Sequence, residues 1–430
     1  MSTVRRILSC VAMVVAVALP CVGSTALAKT VITFWSVSYP TEWQSVINSQ
    51  LIPAFEKANP DIQVNHVPIT WDTLGDKLTV GIATGTAPDL VHYGGSGIFT
   101  ESMQNRWYPL NDFMKDWKDK DQFEPAVWSL YSRNGLYYGI PLQISPRGIA
   151  YNKRLLSDMG LNPDQTPKSW SKIIDIARKG TIVKGNLVVQ LGYDTYWDPF
   201  ATVQNYEHLL VQAGGSPVSE DGRKATLNTE AGRSAFRMLK ELYDLSNPTG
   251  LAHPDKYDAY LFANEQAVMV RGLAWTLSVV YWTNRKMMKD VGVFAPQQSE
   301  ATQPVLQGTV DGLAVPATSK HPREAFLFAT FLANRENSYR YNEYAGGVSP
   351  RRDSVAMAVQ ADSYLKPFYP WLQYLTVASP YPYQSEGLLD QLKQGLAGKL
   401  APEQVVLQGE SEAQKALDKW WKGLPTATRQ

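Results

Sequence analysis

The chain has 430 residues, with 41 Lys and Arg against 40 Asp and Glu, a formal charge of +1. That balance offers no basic surface to a nucleic-acid partner. The length predicts two domains and enough apolar material for a core. Trp and Tyr number 13 and 22, which supplies flat faces with polar edges for an amphipathic ligand as well as for the interior.

Arg5 and Arg6 precede an apolar run from Ile7 to Val22, followed by Ala26-Leu27-Ala28. Charged start, apolar middle and small-residue site predict a secretory signal peptide over residues 1–28, cleaved after Ala28. The run is short for a membrane span, which needs about 20 residues. Leu8 stands where a twin-arginine signal prefers Phe, so the general export route is favoured. Pro20 before Cys21 argues against a lipid anchor. Both cysteines, Cys10 and Cys21, fall inside this segment. The expected mature protein is exported, soluble and free of disulfides. It loses two arginines and no acids, leaving 39 basic against 40 acidic groups, a charge of −1.

Val31-Ile32-Thr33-Phe34-Trp35 predicts a first strand. Val46, Ile47, Leu51, Ile52 and Phe55 recur near the helical period, up to Asn59-Pro60. A second strand holds Ile62, Val64 and Val67. A helix over about Trp71 to Ala83 follows, then a turn and a third strand from Asp89 to Tyr93. The order β-α-β-α-β implies a parallel, doubly wound sheet, whose ligands bind beyond the carboxyl ends of the strands. That points to Ser36–Pro40 and to Gly94–Gly97.

The stretch GLYYGIPLQISPRGIAYNK, Gly135 to Lys153, separates two α/β units. Pro141, Pro146 and Gly148 predict a strand up to Ile140, an irregular crossing to Gly148, and a second ordered segment from Ile149. Beyond it, helices are expected over Asn152–Gly160, from Pro167-Lys168-Ser169-Trp170 through Ala177, up to Gln212, and around Ala231–Leu242. Strands are expected at Leu187–Tyr193, Ala267–Val270 and Val291–Phe294. Gly308–Val315 predicts a return crossing and strand. Pro322 opens an apolar helix through Leu332. An aromatic and proline-rich stretch runs from Tyr364 to Tyr383, and a last helix is expected around Ser411–Trp421.

Catalytic signals are weak. The five histidines show no metal-ligand spacing, no G-x-S-x-G elbow occurs, and no cysteine survives export. Gly94–Gly97 lacks the Lys of a phosphate loop. Paired carboxylates suit a glycosidase, but nothing marks a pair, so an exported glycoside-active enzyme stands as the alternative of another class.

ITFWS, PAFEKANPDIQV, GIATGTAPDLV, YYGIP, IAYNKRLLSDMGL, PKSW, LFANEQAVM, VGVFAPQ, VDGLAVPATSKHPREAFLFATFLAN and GGVSPRRD occur in that order. Together they resemble the family 1 extracellular solute-binding proteins of ABC importers, related to maltose-binding and glycerol-3-phosphate-binding proteins. One departure is Glu265, where that family often has Gly. The resemblance implies a two-lobed α/β fold of the periplasmic-binding-protein type II. Each lobe is a doubly wound, mostly parallel sheet flanked by helices, and several hinge segments join them. The implied lobes are 29–142 with 309–348, and 143–308 with 349–430. It further implies a monomer without cofactor or metal, closing on a carbohydrate or carbohydrate-derived solute in the periplasm and docking on the permease's transmembrane subunits. An anionic sugar or glycerol phosphate read by Arg351 is the variant reading.

Candidate ligand residues follow from position. Tyr39 lies after the first strand, Asp72 at a helix start, and Gly95 and Ser96 after the third strand. Ser145 aligns with a contact position of the family, and Arg147 lies two residues on. Trp275 follows a strand and Gly272. Asp311 and Gly312 match a family position on the return crossing. Arg351 follows the GGVSP turn, where its fork of donors suits an acidic group or paired hydroxyls. Trp197, Trp371, Tyr374 and Tyr383 are further aromatic candidates, and Trp35 reads as packing.

Overall fold

A computed structural model describes residues 29–37, 41–165, 168–195, 197, 199–247, 258–299 and 301–425. The expected signal peptide, both cysteines and Tyr39 lie outside them. The strands are β1 (Thr30–Val37), β2 (Ile62–Ile69), β3 (Leu90–Gly94), β4 (Ser132–Arg133), β5 (Leu136–Tyr137), β6 (Ile140–Asn152), β7 (Ile182–Lys184), β8 (Leu187–Asp194), β9 (Ala267–Leu273), β10 (Val291–Phe294), β11 (Leu306–Ala314) and β12 (Leu375–Val377).

The first unit forms as its periodicity dictates. Ile32 and Phe34 alternate into the core while Val31 stays half exposed. β1 runs parallel to β2, from Thr30 opposite Ile62 to Val37 opposite Ile69, and parallel to β3. The first connection is helical from 41 to 58 with a widened turn at Ile47–Leu51, ending at Asn59 before Pro60. The second is Trp71–Thr84, closed by Gly85 at φ +71°, a left-handed conformation that glycine adopts without strain.

The strand order is β2-β1-β3-β11-β6-β9-β8-β7, with β10 on β6 and β12 on β11; β4 and β5 form a separate ribbon. One end is parallel, β1 with both neighbours; toward the other, β8 runs parallel to β9 and β7 closes the edge antiparallel to β8. The middle is antiparallel: β11 against β3 and β6, and β6 against β9. The lobes therefore share one continuous sheet, and β6 runs from one into the other.

The expected break at Pro141–Gly148 is not there. β6 stays extended for 13 residues. Pro141 lies opposite Gly312 and Pro146 opposite Gly308. Between them, the edge of β6 facing away from β11 is met through the bridge of Ile144 to Val348. A proline costs a strand a ladder bond only where a neighbour would accept its N–H. Among the described residues no strand runs beside the prolines along this edge, because β9 pairs from Arg147 onward.

Two apolar cores flank the sheet. One gathers Phe34, Leu90, Ile144, Leu277, Phe328 and Phe368. The other gathers Ile173, Leu210, Phe236, Leu239, Leu392 and Leu417. The helices around the second core include Trp170–Gly180, Pro199–Gln212, Glu230–Ser246 and Pro402–Gly423. The last begins nine residues before its expected start, since Val405, Val406, Gly409 and Ala413 continue its buried stripe. Glu265 adopts φ +61° and pairs with Arg154, so the family's glycine position keeps its left-handed turn with an acidic residue.

One expected boundary shifts. Residues 349–430 are expected in the second lobe, yet Glu124 N donates to Pro350 O at 2.9 Å and Arg352 Nη1 to Phe123 O at 3.1 Å. Leu365 and Phe368 lie in the first core and Tyr383 in the second. The final passage therefore falls between Phe368 and Tyr383, through β12.

Candidate ligand site between the lobes

β6 and β11 cross between the lobes side by side. Their register sets Gln143 opposite Asp311, Ser145 opposite Thr309 and Arg147 opposite Gln307. Paired residues share a face, and every second residue along a strand returns to it. These six polar side chains therefore line one face of the crossing. The alternate residues Ile144 and Val310 enter the first core.

The floor so formed is graded. Gln143, Arg147 and Gln307 are buried, while Ser145, Thr309 and Asp311 stay partly open. Arg147 donates from Nη1 to Thr309 Oγ1 at 3.3 Å and from Nη2 to Gln204 Oε1 at 2.6 Å. Gln307 Nε2 donates to Glu207 Oε1 at 3.0 Å. Glu207 also accepts from Ser379 N at 3.1 Å, Gln384 Nε2 at 3.1 Å and the Tyr383 hydroxyl. Asp311 differs from its neighbours: its carboxylate receives no hydrogen bond among the described residues.

Burial sets the titration of these groups. It pushes Asp311 up to about 7, against the opposing pull of Arg147. It also brings Arg147 down to about 9, helped by the like charge of Arg271. Glu207 is raised by burial, with the hydrogen bonds from Tyr383, Ser379 and Gln384 and the charge of Arg147 acting the other way. A partly open carboxylate with no internal donor among the described residues is free to accept from a molecule outside the chain.

Glycines let the first lobe approach this floor. A Cβ on Gly95 would lie 2.7 Å from Val310 O, and one on Gly312 the same distance from Ile140 O and inside the Tyr131 ring. The β6–β11 register slips at Asp311/Gly312, and the Tyr131 hydroxyl donates to Val310 O at 3.1 Å. The helix Gly95–Ser102 then reaches the second lobe: Ser96 Oγ lies 3.5 Å from Ser379 O, and the Phe99 and Tyr381 rings meet edge to face at 5.5 Å. Tyr381 is backed by Trp420 and Trp421. On the other side, Gly347 abuts Gln143 and Gly346 abuts Trp275.

Among the expected residues, Gly95, Ser96, Ser145, Arg147, Asp311 and Gly312 gather around the floor, with Trp275 beside it. Others lie apart. Asp72 is exposed in the first turn of its helix, which Thr70 caps. Trp197 packs edge-on against Tyr243 at 5.1 Å, beside a small second-lobe cavity of about 30 Å³ that Arg271 and His208 also line. Tyr374 lies 6.1 Å from Trp371, whose indole donates to Val293 O. Tyr383 is buried on Glu207.

Arg351 corrects the expectation of an anion-reading arginine. It is 2% exposed and holds Asp119 at 2.7 Å, Asp353 at 2.9 and 2.7 Å, and Ala333 O at 3.0 Å. Those contacts occupy its donor fork, and its face lies over Phe123. Burial therefore fixes it as a staple of the first lobe.

Sequence reasoning missed Gln143, Gln204, Glu207, Gln307, Thr309 and Ser379. For half of them a signal existed. In LQISPR and LQGTVD the polar residues fall at every second position, the strand period with polar residues on an interior face. Gln204, Glu207 and Ser379 join only through tertiary packing.

Residues 38–339 match the model of the bacterial extracellular solute-binding protein family, and the chain belongs to that family. It is 24% identical over 310 residues to a putative binding protein of Brucella abortus, covering 71% of this chain and 72% of that one. It is 30% identical over 189 residues to the sn-glycerol-3-phosphate-binding periplasmic protein of Salmonella paratyphi A, covering 42% and 41%. Among solved structures, an ABC transporter solute-binding protein of Thermotoga lettingae bound with alpha-D-tagatose superposes with a TM-score of 0.77. It is 23% identical and covers 90% of this chain and all of that one. That likeness fixes the two-lobed fold.

Proposed function

We propose that this protein captures a carbohydrate or polyol in the cleft above β6 and β11 and hands it to the permease of an ABC importer. The observation that carries this reading is the Asp311 carboxylate, half-buried and without an internal donor, beside the hydroxyls of Ser145 and Thr309. A polyhydroxylated solute brings donors for the carboxylate and accepts from the hydroxyls. A charge-assisted bond of this kind contributes about 1.5–3 kcal/mol. Contacts made to both lobes at once favour the closed arrangement, which is the form an importer recognises. Export by the leader at residues 1–28 fits this role.

The relatives include a glycerol-phosphate binder, which keeps an anionic solute as the second reading. With Arg351 committed elsewhere, Arg147 is the floor's cation, and Asp311 beside it disfavours a phosphate there. Calorimetric titration of the exported protein with hexoses, disaccharides, trisaccharides, alditols and glycerol 3-phosphate decides between them. Binding of a neutral saccharide or alditol supports the proposal; binding of glycerol 3-phosphate alone rejects it. Recovery of the bound solute unchanged after prolonged incubation excludes the glycoside-active alternative.

A further inference from the structure

Away from the cleft floor lies a large concavity of about 1020 Å³. Its walls are the end of the helix Ala274–Thr283 with the turn Arg285–Asp290, and the helix Arg335–Ala345. Its base is β10 with the turn Lys366–Tyr374. None of the six floor residues lines it. Small-molecule sites take about 300–1,000 Å³, so this trough stands at the top of that range, with room for a few linked sugar units.

Its surface combines two chemistries. Tyr281 stacks on Tyr364 with ring centres 4.7 Å apart, and Trp282 lies nearly parallel to Tyr344 at 6.4 Å. Trp282 is 54% exposed, a costly position for a bare indole, and open aromatic clusters of this kind mark binding surfaces. Around them stand Lys153, Arg285, Lys289 and Arg340. Among the described residues none of these four is ion-paired to a carboxylate; Arg285 lies over Tyr281 at 4.6 Å. The acids of the trough are committed or subdued. Asp362 pairs with Lys366, and Glu343 is raised by burial and accepts from Ser363. In a chain of nearly balanced charge, the trough concentrates cations.

We infer that this trough is a second binding site, one that takes an acidic oligosaccharide along the Trp282 and Tyr344 rings. Sugar rings supply apolar C–H faces for the stacked aromatics, and their carboxylates or sulfates meet the unpaired cations. A concave trough with aromatic walls suits an extended glycan better than a flat anionic membrane, which would engage the basic rim alone.

The test is binding of hexagalacturonate to the purified exported protein, against maltohexaose and phosphatidylglycerol vesicles. The site predicts saturable binding of the acidic hexamer, weakening with salt, and, in the Asp311→Asn variant whose cleft is weakened, at least about tenfold weaker binding of the neutral one. Trp282→Ala and the pair Arg285→Glu with Arg340→Glu each lower hexagalacturonate affinity at least about tenfold, while thermal unfolding and cleft binding stay as in the parent. Asp311→Asn leaves this affinity unchanged. Absence of binding, binding that survives both sets of substitutions, loss through Asp311→Asn, or binding of vesicles without hexagalacturonate would each overturn the inference.

Discussion

Glu207 accepts a hydrogen bond from Gln307 Nε2 at 3.0 Å, tying a buried helix of the second lobe to the second crossing strand. The same carboxylate holds Ser379 N, Gln384 and Tyr383. It thereby fixes both the floor and the loop that meets Ser96 and Phe99. Glu207→Ala leaves these donors buried without an acceptor, and each orphaned group costs about 1–3 kcal/mol. We expect a loss of roughly 3 kcal/mol in denaturant unfolding, with Glu207→Gln losing less because one acceptor oxygen remains. Equal stability of Glu207→Ala and the parent contradicts the account.

Arg351→Ala separates structure from recognition. Removing one partner of a buried ion pair costs about 3–5 kcal/mol, and here Asp119, Asp353 and Ala333 O lose their shared donor. The variant is expected to unfold at lower denaturant while its folded fraction binds solute with parental affinity. Selective loss of an anionic solute at unchanged stability would restore Arg351 to the site.

The Phe99–Tyr381 contact joins helix Gly95–Ser102 to the second lobe. Aromatic pairs contribute about 0.5–1.5 kcal/mol beyond burial. Phe99→Ala is expected to weaken solute binding several-fold, chiefly through faster dissociation in stopped-flow fluorescence. An unchanged dissociation rate would show that the contact plays no part in closure.

The titration of Asp311 gives a pH dependence with two opposite signs. Its carboxyl stands at about 7, against 3.8 for the unperturbed group. Between those values the folded chain binds more protons than the unfolded one, so the free protein loses stability as pH rises from about 4 to about 7. A solute that donates to the carboxylate favours its charged form. Affinity should then rise with pH, by up to about tenfold per unit, and level off above about 7. A flat calorimetric profile between pH 5 and 8 would count against Asp311 as the acceptor.

Much of the fold is legible in the sequence. The period-two run at Ile32 and Phe34, the helical recurrence through Phe55, and the turn at Gly85 all form as patterned. The prolines of β6 misled because their cost depends on whether a neighbouring strand needs the N–H, which is a property of the sheet. Arg351 misled for a related reason. An arginine after a glycine-rich turn reads equally well as a ligand contact or a staple until the positions of Asp119 and Asp353 are known. Gln143, Thr309 and Gln307 were within reach, because their spacing beside Ser145, Asp311 and Arg147 marks a polar face between two apolar ones.

The substitution Asp311→Asn tests the central claim most directly. It removes a charge that burial penalises and keeps the side chain's shape. Measured above pH 7 by thermal unfolding and by calorimetry with the tightest neutral saccharide, the variant is expected to be more stable than the parent. Its binding should be about tenfold to a hundredfold weaker. Parental affinity in a stabilised variant would contradict the claim that this carboxylate holds the solute between the lobes.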